Sequence, residues 1–180
     1  ADRRVKEPDQ VNPSPRGGGL CEARPAPPLE LENVTLLHVN IRGVKSHLAE
    51  LDGYLRRLPE RPLLVALTET WLDASTKSIE LSGHSVVSRL DRRDGRQGGG
   101  VALLASSGFA DNVAFTAHAK ECERSWHVLH SSIGPVALTV WYRPPGDEVR
   151  SVCAFEAELC EHSAGIIGAL VVGDMNLHNT

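Results

Sequence analysis

The chain has no run of roughly 18 consecutive apolar residues of the kind that spans a bilayer, and Ala1-Asp2-Arg3-Arg4 opens no apolar segment like that of a secretion signal. Membrane insertion and signal-led secretion are therefore not expected. An initiator methionine is missing as well, so the chain is read as a piece of something longer. The four cysteines, Cys21, Cys122, Cys153 and Cys160, form no Cys-x-x-Cys pair and no dense framework. That excludes a disulfide-stapled module and predicts reduced, buried thiols in an intracellular protein. Positive charge is not in excess: the net charge is −4 and the isoelectric point lies near 6.1, which argues against a surface coated in lysine and arginine for gripping nucleic acid. Internal repeats are absent. Gly98-Gly99-Gly100 has no Gly-Lys-Ser/Thr after it and so is no phosphate cradle; it is expected to allow a tight strand entry close to another backbone.

What is present suffices for one domain, since 180 residues at 41% hydrophobic can bury a real core. Residues 1–30 hold six prolines, Gly17-Gly18-Gly19 and several arginines with few spaced apolar residues, and read as a disordered tail or linker. Residues 31–180 read as the folded domain. VTLLHVNIRG (34–43) is a strand pattern, and SHLAELDGYLRRL (46–58) is a helix with Leu48, Leu51, Leu55 and Leu58 on one face behind a Ser46 cap. PLLVALTETW (62–71) is a buried strand, because its apolar residues are consecutive. HSVVSRL, GGGVALLAS, SWHVLHSSI and PVALTVWYRPP predict four strands in antiparallel neighbourhood. DEVRSVCAFEAELCEHS predicts a helix with Val149, Val152, Cys153, Phe155, Leu159 and Cys160 near one face, and Ala169 to Val172 closes with a strand. Strand–helix–strand units around a strand-only middle indicate an α/β layered fold rather than a doubly wound one.

Polar residues stand at the strand ends: Asn40, Glu69, Tyr142, and Asp174 with Asn176. Strand ends are where separate segments of an α/β protein converge on one cleft. Singly, each is ordinary turn chemistry; together they make a chemical set. A hard cation such as Mg²⁺ takes few oxygen ligands from protein, and Glu69 with Asn40 supplies that share. Phosphodiester hydrolysis needs a base for water, which Asp174 provides with Asn176 on the same side of an extended chain. Tyr142 can donate its phenol proton to a phosphate oxygen.

The strings LLHVNIRG, LLVALTETW, RQGGGVALL, VWYRPPG and LVVGDMNLH, in this order, resemble the endonuclease/exonuclease/phosphatase superfamily, and within it the apurinic-like endonuclease domain of non-LTR retrotransposons. The resemblance covers residues 35–178. It implies a four-layered α/β sandwich of two packed mixed sheets flanked by helices, and a Mg²⁺- or Mn²⁺-dependent nick in DNA that frees a 3′-hydroxyl. It also implies a polyprotein with a reverse transcriptase downstream, acting in the nucleus. Position by position, Asn40 and Glu69 match the metal-side residues, Tyr142 the phosphate-contacting tyrosine, and Asp174 and Asn176 the Gly-Asp-x-Asn pair that activates and orients water.

One departure stands out. The family closes its site with an Asp-His pair on strands beyond Gly-Asp-x-Asn, and the chain ends at Thr180 without it. His178, on the same segment as Asp174, is expected to be a loop residue. The domain is therefore expected to be incomplete at its C-terminus and its turnover reduced. The alternatives are another phosphodiesterase or phosphatase of the superfamily, and a catalytically dead retroelement remnant. In SRLDRRDGRQGGG the arginines Arg89, Arg92, Arg93 and Arg96 outnumber Asp91 and Asp94. That loop reads either as solvated mixed charge or as a DNA-backbone contact, with Arg93, Arg96 and Arg143 as the DNA-facing candidates. Trp71 and Trp126 read as core or cleft-wall residues.

Overall fold

Leu64–Thr68 is buried at every position, as the consecutive apolar run demands. A strand with alternate side chains on opposite faces can lose all of them from water only when both faces are covered. A computed structural model of the chain describes residues 33–92, 97–120, 122–146 and 150–176. Its strands are β1 (Leu36–Asn40), β2 (Leu64–Thr68), β3 (His84–Leu90), β4 (Val101–Ser106), β5 (Val113–His118), β6 (Glu123–Ser131), β7 (Gly134–Tyr142) and β8 (Gly168–Asp174). The helices are α1 (Val44–Arg57) and α2 (Arg150–His162), and a short 3-10 turn covers Ala110–Asn112.

The strands form two four-stranded sheets, ordered β1-β2-β4-β3 and β5-β6-β7-β8. β1 and β2 are parallel, as are β7 and β8, and the other pairs are antiparallel. Leu64 and Ala66 face the second sheet with Val101, Leu103 and Ala105, meeting Leu129, Leu138 and Val140. Val65 and Leu67 turn the other way with Ala102 and Leu104, and pack on Val44, Leu51 and Leu55 of α1. Each fully buried leucine contributes about 1.5–3 kcal/mol by leaving water. On the far side α2 lies over the second sheet: Phe155 stacks on Trp126 and Trp141 at 5.6 and 5.2 Å between centroids. Arg124, 0% exposed, pairs with Glu158 at 2.9 Å and lies 4.5 Å over the Trp141 ring. The layers are α1, sheet, sheet, α2, the sandwich expected.

Several expectations change in detail. Ser46 does not cap α1, which begins at Val44 behind Gly43 with no side-chain cap. Its first amides are taken instead by the second strand's exit, Gly43 N donating to Glu69 O at 2.8 Å and Val44 N to Thr70 O at 2.9 Å. A hydroxyl cap is unnecessary where backbone carbonyls satisfy the orphan donors. The strand VAFTAH, β5, was absent from the sequence reading. It separates β4 from β6, which belong to different sheets. The stripe of α2 is rotated: Ser151, Ala154, Phe155, Glu158, Leu159 and His162 face inward, while Val152, Cys153 and Cys160 are exposed. The tryptophans and Arg124 beneath select a phenyl ring and a carboxylate rather than the more apolar side. Cys153 and Cys160 are consequently free, exposed thiols, not buried ones. The tail, Cys21, Val149, Arg93, Arg96 and His178 lie outside the described residues.

Candidate active site

Parallel pairing places the C-terminal ends of β1 and β2 together, and likewise those of β7 and β8. The stacked sheets bring both sets to one end of the sandwich, so four strand exits meet. Asn40 ends β1, and its Nδ2 donates to Asp174 Oδ2 at 2.7 Å, where β8 ends. Asn40 Oδ1 is buried with no hydrogen-bond partner, an orphan acceptor of the kind that calls for a cation or donor. Glu69, just past β2, is left-handed at φ 55°. Its Oε1 accepts from the Tyr142 hydroxyl at 2.7 Å and its Oε2 from the Trp71 indole N–H at 2.7 Å. Trp71 is 49% exposed and forms a wall of the cleft, whereas Trp126 is buried in the core.

Tyr142 is only 4% exposed. Burial, followed by the hydrogen bond to the Glu69 carboxylate, pushes its phenol up to about 12. It therefore keeps its proton throughout the neutral range and stays a donor. Asp174 is oriented from both sides, Oδ1 accepting from Asn176 N at 3.2 Å and Oδ2 from Asn40. Asn176, left-handed at φ 43°, donates through Nδ2 to Arg143 O at 2.7 Å. Gly173, at φ 146°, leaves no room for a Cβ against the Trp141 backbone, which brings Asp174 close to β7. All five residues expected to form the site thus gather at one end: Asn40 with Asp174, Glu69 with Tyr142, Asn176 with Asp174.

Arg143 sits at the same end and braces the turn. Its backbone N donates to Asp174 O at 2.8 Å, and its guanidinium reaches Ser151 Oγ at 3.3 Å and Met175 O at 3.4 Å. Two arginines of the basic loop, Arg89 and Arg92, are engaged internally. Arg89 holds Asp91 at 2.6 Å and the carbonyls of Thr76 and Asp73, and Arg92 holds Glu123 at 2.5 Å.

Two groups escaped the sequence reading. His38 lies two residues before Asn40 on the same face of β1, with Nε2 3.1 Å from Thr68 Oγ1; burial lowers its pKa, opposed by the Asp174 charge. Glu123 opens β6 as the cross-strand partner of Tyr142. An alternation count two residues back from a strand-end asparagine flags His38; no local signal flags Glu123.

Among the described residues no group of three or more His, Cys, Asp or Glu is gathered to hold a metal. The donor set is smaller: the orphaned Asn40 Oδ1 and the Glu69 carboxylate, whose oxygens accept the Tyr142 hydroxyl and the Trp71 indole N–H, are hard oxygen ligands suited to Mg²⁺ or Mn²⁺, which keep waters and substrate oxygens for their other positions. No described helix is long and apolar enough to cross a membrane.

No family model matches the chain, and no curated protein does. Solved structures do. The AP endonuclease LMAP from Leishmania major is 16% identical with a TM-score of 0.61, over 80% of this chain and 55% of its own. The 3′ phosphatase NExo from Neisseria, bound to product DNA hairpin, is 15% identical with a TM-score of 0.59, over 80% and 58%. The endonuclease domain of TRAS1, a telomere-specific non-LTR retrotransposon, is 12% identical with a TM-score of 0.54, over 85% and 63%. The chain spans less than two thirds of the length of each. These likenesses show the fold: a two-sheet α/β sandwich shared with these three solved structures.

Proposed function

We infer that the chain carries the strand-end half of a metal-assisted phosphodiesterase site, and that its substrate is DNA, cut as by the endonuclease of a non-LTR retrotransposon. The observation that supports this most is the Asn40–Asp174 contact, which joins a metal-side amide to a base across the two sheets. The Asp174 carboxylate, held from both sides, is placed to take the proton of an attacking water, and Asn176 fixes that turn. The Tyr142 phenol, retaining its proton, can leave Glu69 and donate to a phosphate oxygen. Glu69 and Asn40 Oδ1 would hold the divalent cation, which when bound neutralises charge developing on phosphate and leaving oxygen. The neighbours named as AP endonuclease, DNA-bound 3′ phosphatase and retrotransposon endonuclease support a nucleic-acid phosphoester, and Tyr142-Arg143-Pro144-Pro145 supports the retroelement branch. That reading carries with it a reverse transcriptase in the same polyprotein and action in the nucleus.

Supercoiled plasmid with Mg²⁺ is the test, applied to the chain and to any longer protein containing it. Nicked circles should form and disappear with Glu69→Gln or Asp174→Asn. Undiminished nicking by either variant overturns the assignment, and release of phosphate from a 3′-phosphorylated oligonucleotide without nicking of the plasmid moves it to a phosphatase.

A further inference from the structure

Glu69 and Trp71 occupy the left-handed region at φ 55° and 53°, which costs non-glycine residues about 1 kcal/mol or more each and persists only where the surroundings enforce it. The enforcement comes from the entry to β4 beside β2 in the same sheet and, behind that, from across the sandwich. Trp71 N donates to Gly99 O at 2.9 Å and Thr70 N to Gly100 O at 3.3 Å. Gly98, Gly99 and Gly100 are themselves left-handed, at φ 92°, 72° and 88°. Glu123, from the second sheet, accepts the Gly100 N–H on Oε2 and Arg92 Nε on Oε1. The Arg92 and Glu123 side chains are 11% and 14% exposed, and a Cβ on Gly99 would run into both. Arg92 also lies 5.9 Å over the Tyr142 ring, and Tyr142 donates to Glu69. A single carboxylate thus fixes the glycine loop beneath Glu69 and the cation beside the tyrosine that Glu69 accepts from.

We propose that Glu123, acting with Arg92, is a positioning residue for the Glu69 carboxylate: it locks the Gly98-Gly99-Gly100 loop against residues 69–71 and thereby sets the cation affinity of Glu69 without touching cation or substrate. The affinity rests on the reading of Glu69 as a metal ligand; the locking of the loop rests on geometry alone.

Two measurements on the full chain separate these. Hydrogen exchange at the Thr70 and Trp71 amides reads the lock. In Glu123→Ala both should exchange about tenfold faster or more relative to β2 and β4 core amides, as expected when a hydrogen bond to a charged group is lost. Glu123→Gln keeps an acceptor for the Gly100 N–H and should recover most of the protection. Mn²⁺ alone, with the free ion followed by electron paramagnetic resonance, reads the affinity. Glu123→Ala should weaken binding about tenfold, the usual cost of losing a group that orients a ligand, and should add nothing in a Glu69→Gln background. Wild-type exchange at Thr70 and Trp71 in Glu123→Ala, or an equal loss of Mn²⁺ affinity with and without Glu69, overturns the proposal. If Glu69→Gln alone binds Mn²⁺ like the wild type, the metal reading of Glu69 fails and exchange decides the lock. Should Glu123→Ala lose its fold, Arg92→Lys takes its place with the same two readings.

Discussion

Asn40 and Asp174 stand at the ends of the outermost strands of two different sheets, and their side chains meet at 2.7 Å. Neither sheet alone holds the pair. The amide can turn a donor to the carboxylate and its oxygen elsewhere at once, which neither aspartate nor leucine of similar size can do. Asn40→Ala should therefore lower nicking by about 10- to 100-fold, as for loss of a ligand and its orienting bond, while shifting the unfolding free energy by only about 1 kcal/mol. Plasmid nicking and urea denaturation on the same preparation check both halves.

Tyr142 supplies a proton-retention test. Its phenol is held near 12 in the folded chain against an ordinary value of 10.0. The raised value means a contribution to stability that is whole below about pH 10 and lost as pH climbs toward 12. Subtracting the ultraviolet pH titration of Tyr142→Phe from that of the wild type should leave a phenolate step near pH 12. A step near 10 would show that the Glu69 contact does not persist in solution. Tyr142→Phe should also slow nicking without moving its pH dependence between 6 and 9.

His127 predicts the acid side of the stability curve. It is buried between the sheets, with Nδ1 3.2 Å from Leu138 O and Nε2 2.6 Å from Ser88 Oγ, so Nδ1–H donates and Nε2 accepts from the serine hydroxyl. Burial holds its pKa down to about 4, from an ordinary 6.5. Below 6.5 the unfolded chain takes up a proton that the folded chain refuses, and stability falls between about pH 6.5 and 4, by up to roughly 3 kcal/mol. His38, also lowered, acts in the same direction. Urea midpoints at pH 7.5 and 4.5 should differ less in His127→Gln than in the wild type.

Gly99 and Gly108 make a matched pair. A Cβ on Gly99 is opposed by a left-handed φ of 72° and by Glu123 and Arg92, whereas nothing lies within 4 Å of one on Gly108. Gly99→Ala should cost about 1–3 kcal/mol and Gly108→Ala within about 0.5 kcal/mol, both read by thermal unfolding. Equal costs would mean the glycine loop is not held as described.

The sequence made legible whatever is written in neighbouring residues. β2 is apolar from Leu64 to Leu67 and β4 from Val101 to Ala105 because both faces are covered, and the strand-end Asn40, Glu69, Tyr142 and Asp174 follow from where the runs of β1, β2, β7 and β8 stop. What stayed hidden depends on partners far along the chain. β5 escaped because an outer strand with Ala114, Phe115 and Thr116 exposed has no inward alternation to read. The inward face of α2 is chosen by Trp126, Trp141 and Arg124, not by its own hydrophobicity. Glu123 carries no local signature, since its partners Arg92 and Gly100 are 31 and 23 residues away.

The contact between Asn40 and Asp174 spans 134 residues, and closing a loop of that length costs about 4 kcal/mol of chain entropy. So distant a closure comes late in folding, after nearer pairings have shortened the path. A chain that has laid down its first sheet already owns Asn40 and Glu69, yet has neither the Asp174 carboxylate nor the Tyr142 phenol beside them. The groups of the proposed site meet only when β8 docks, so any chemistry they share waits for that moment.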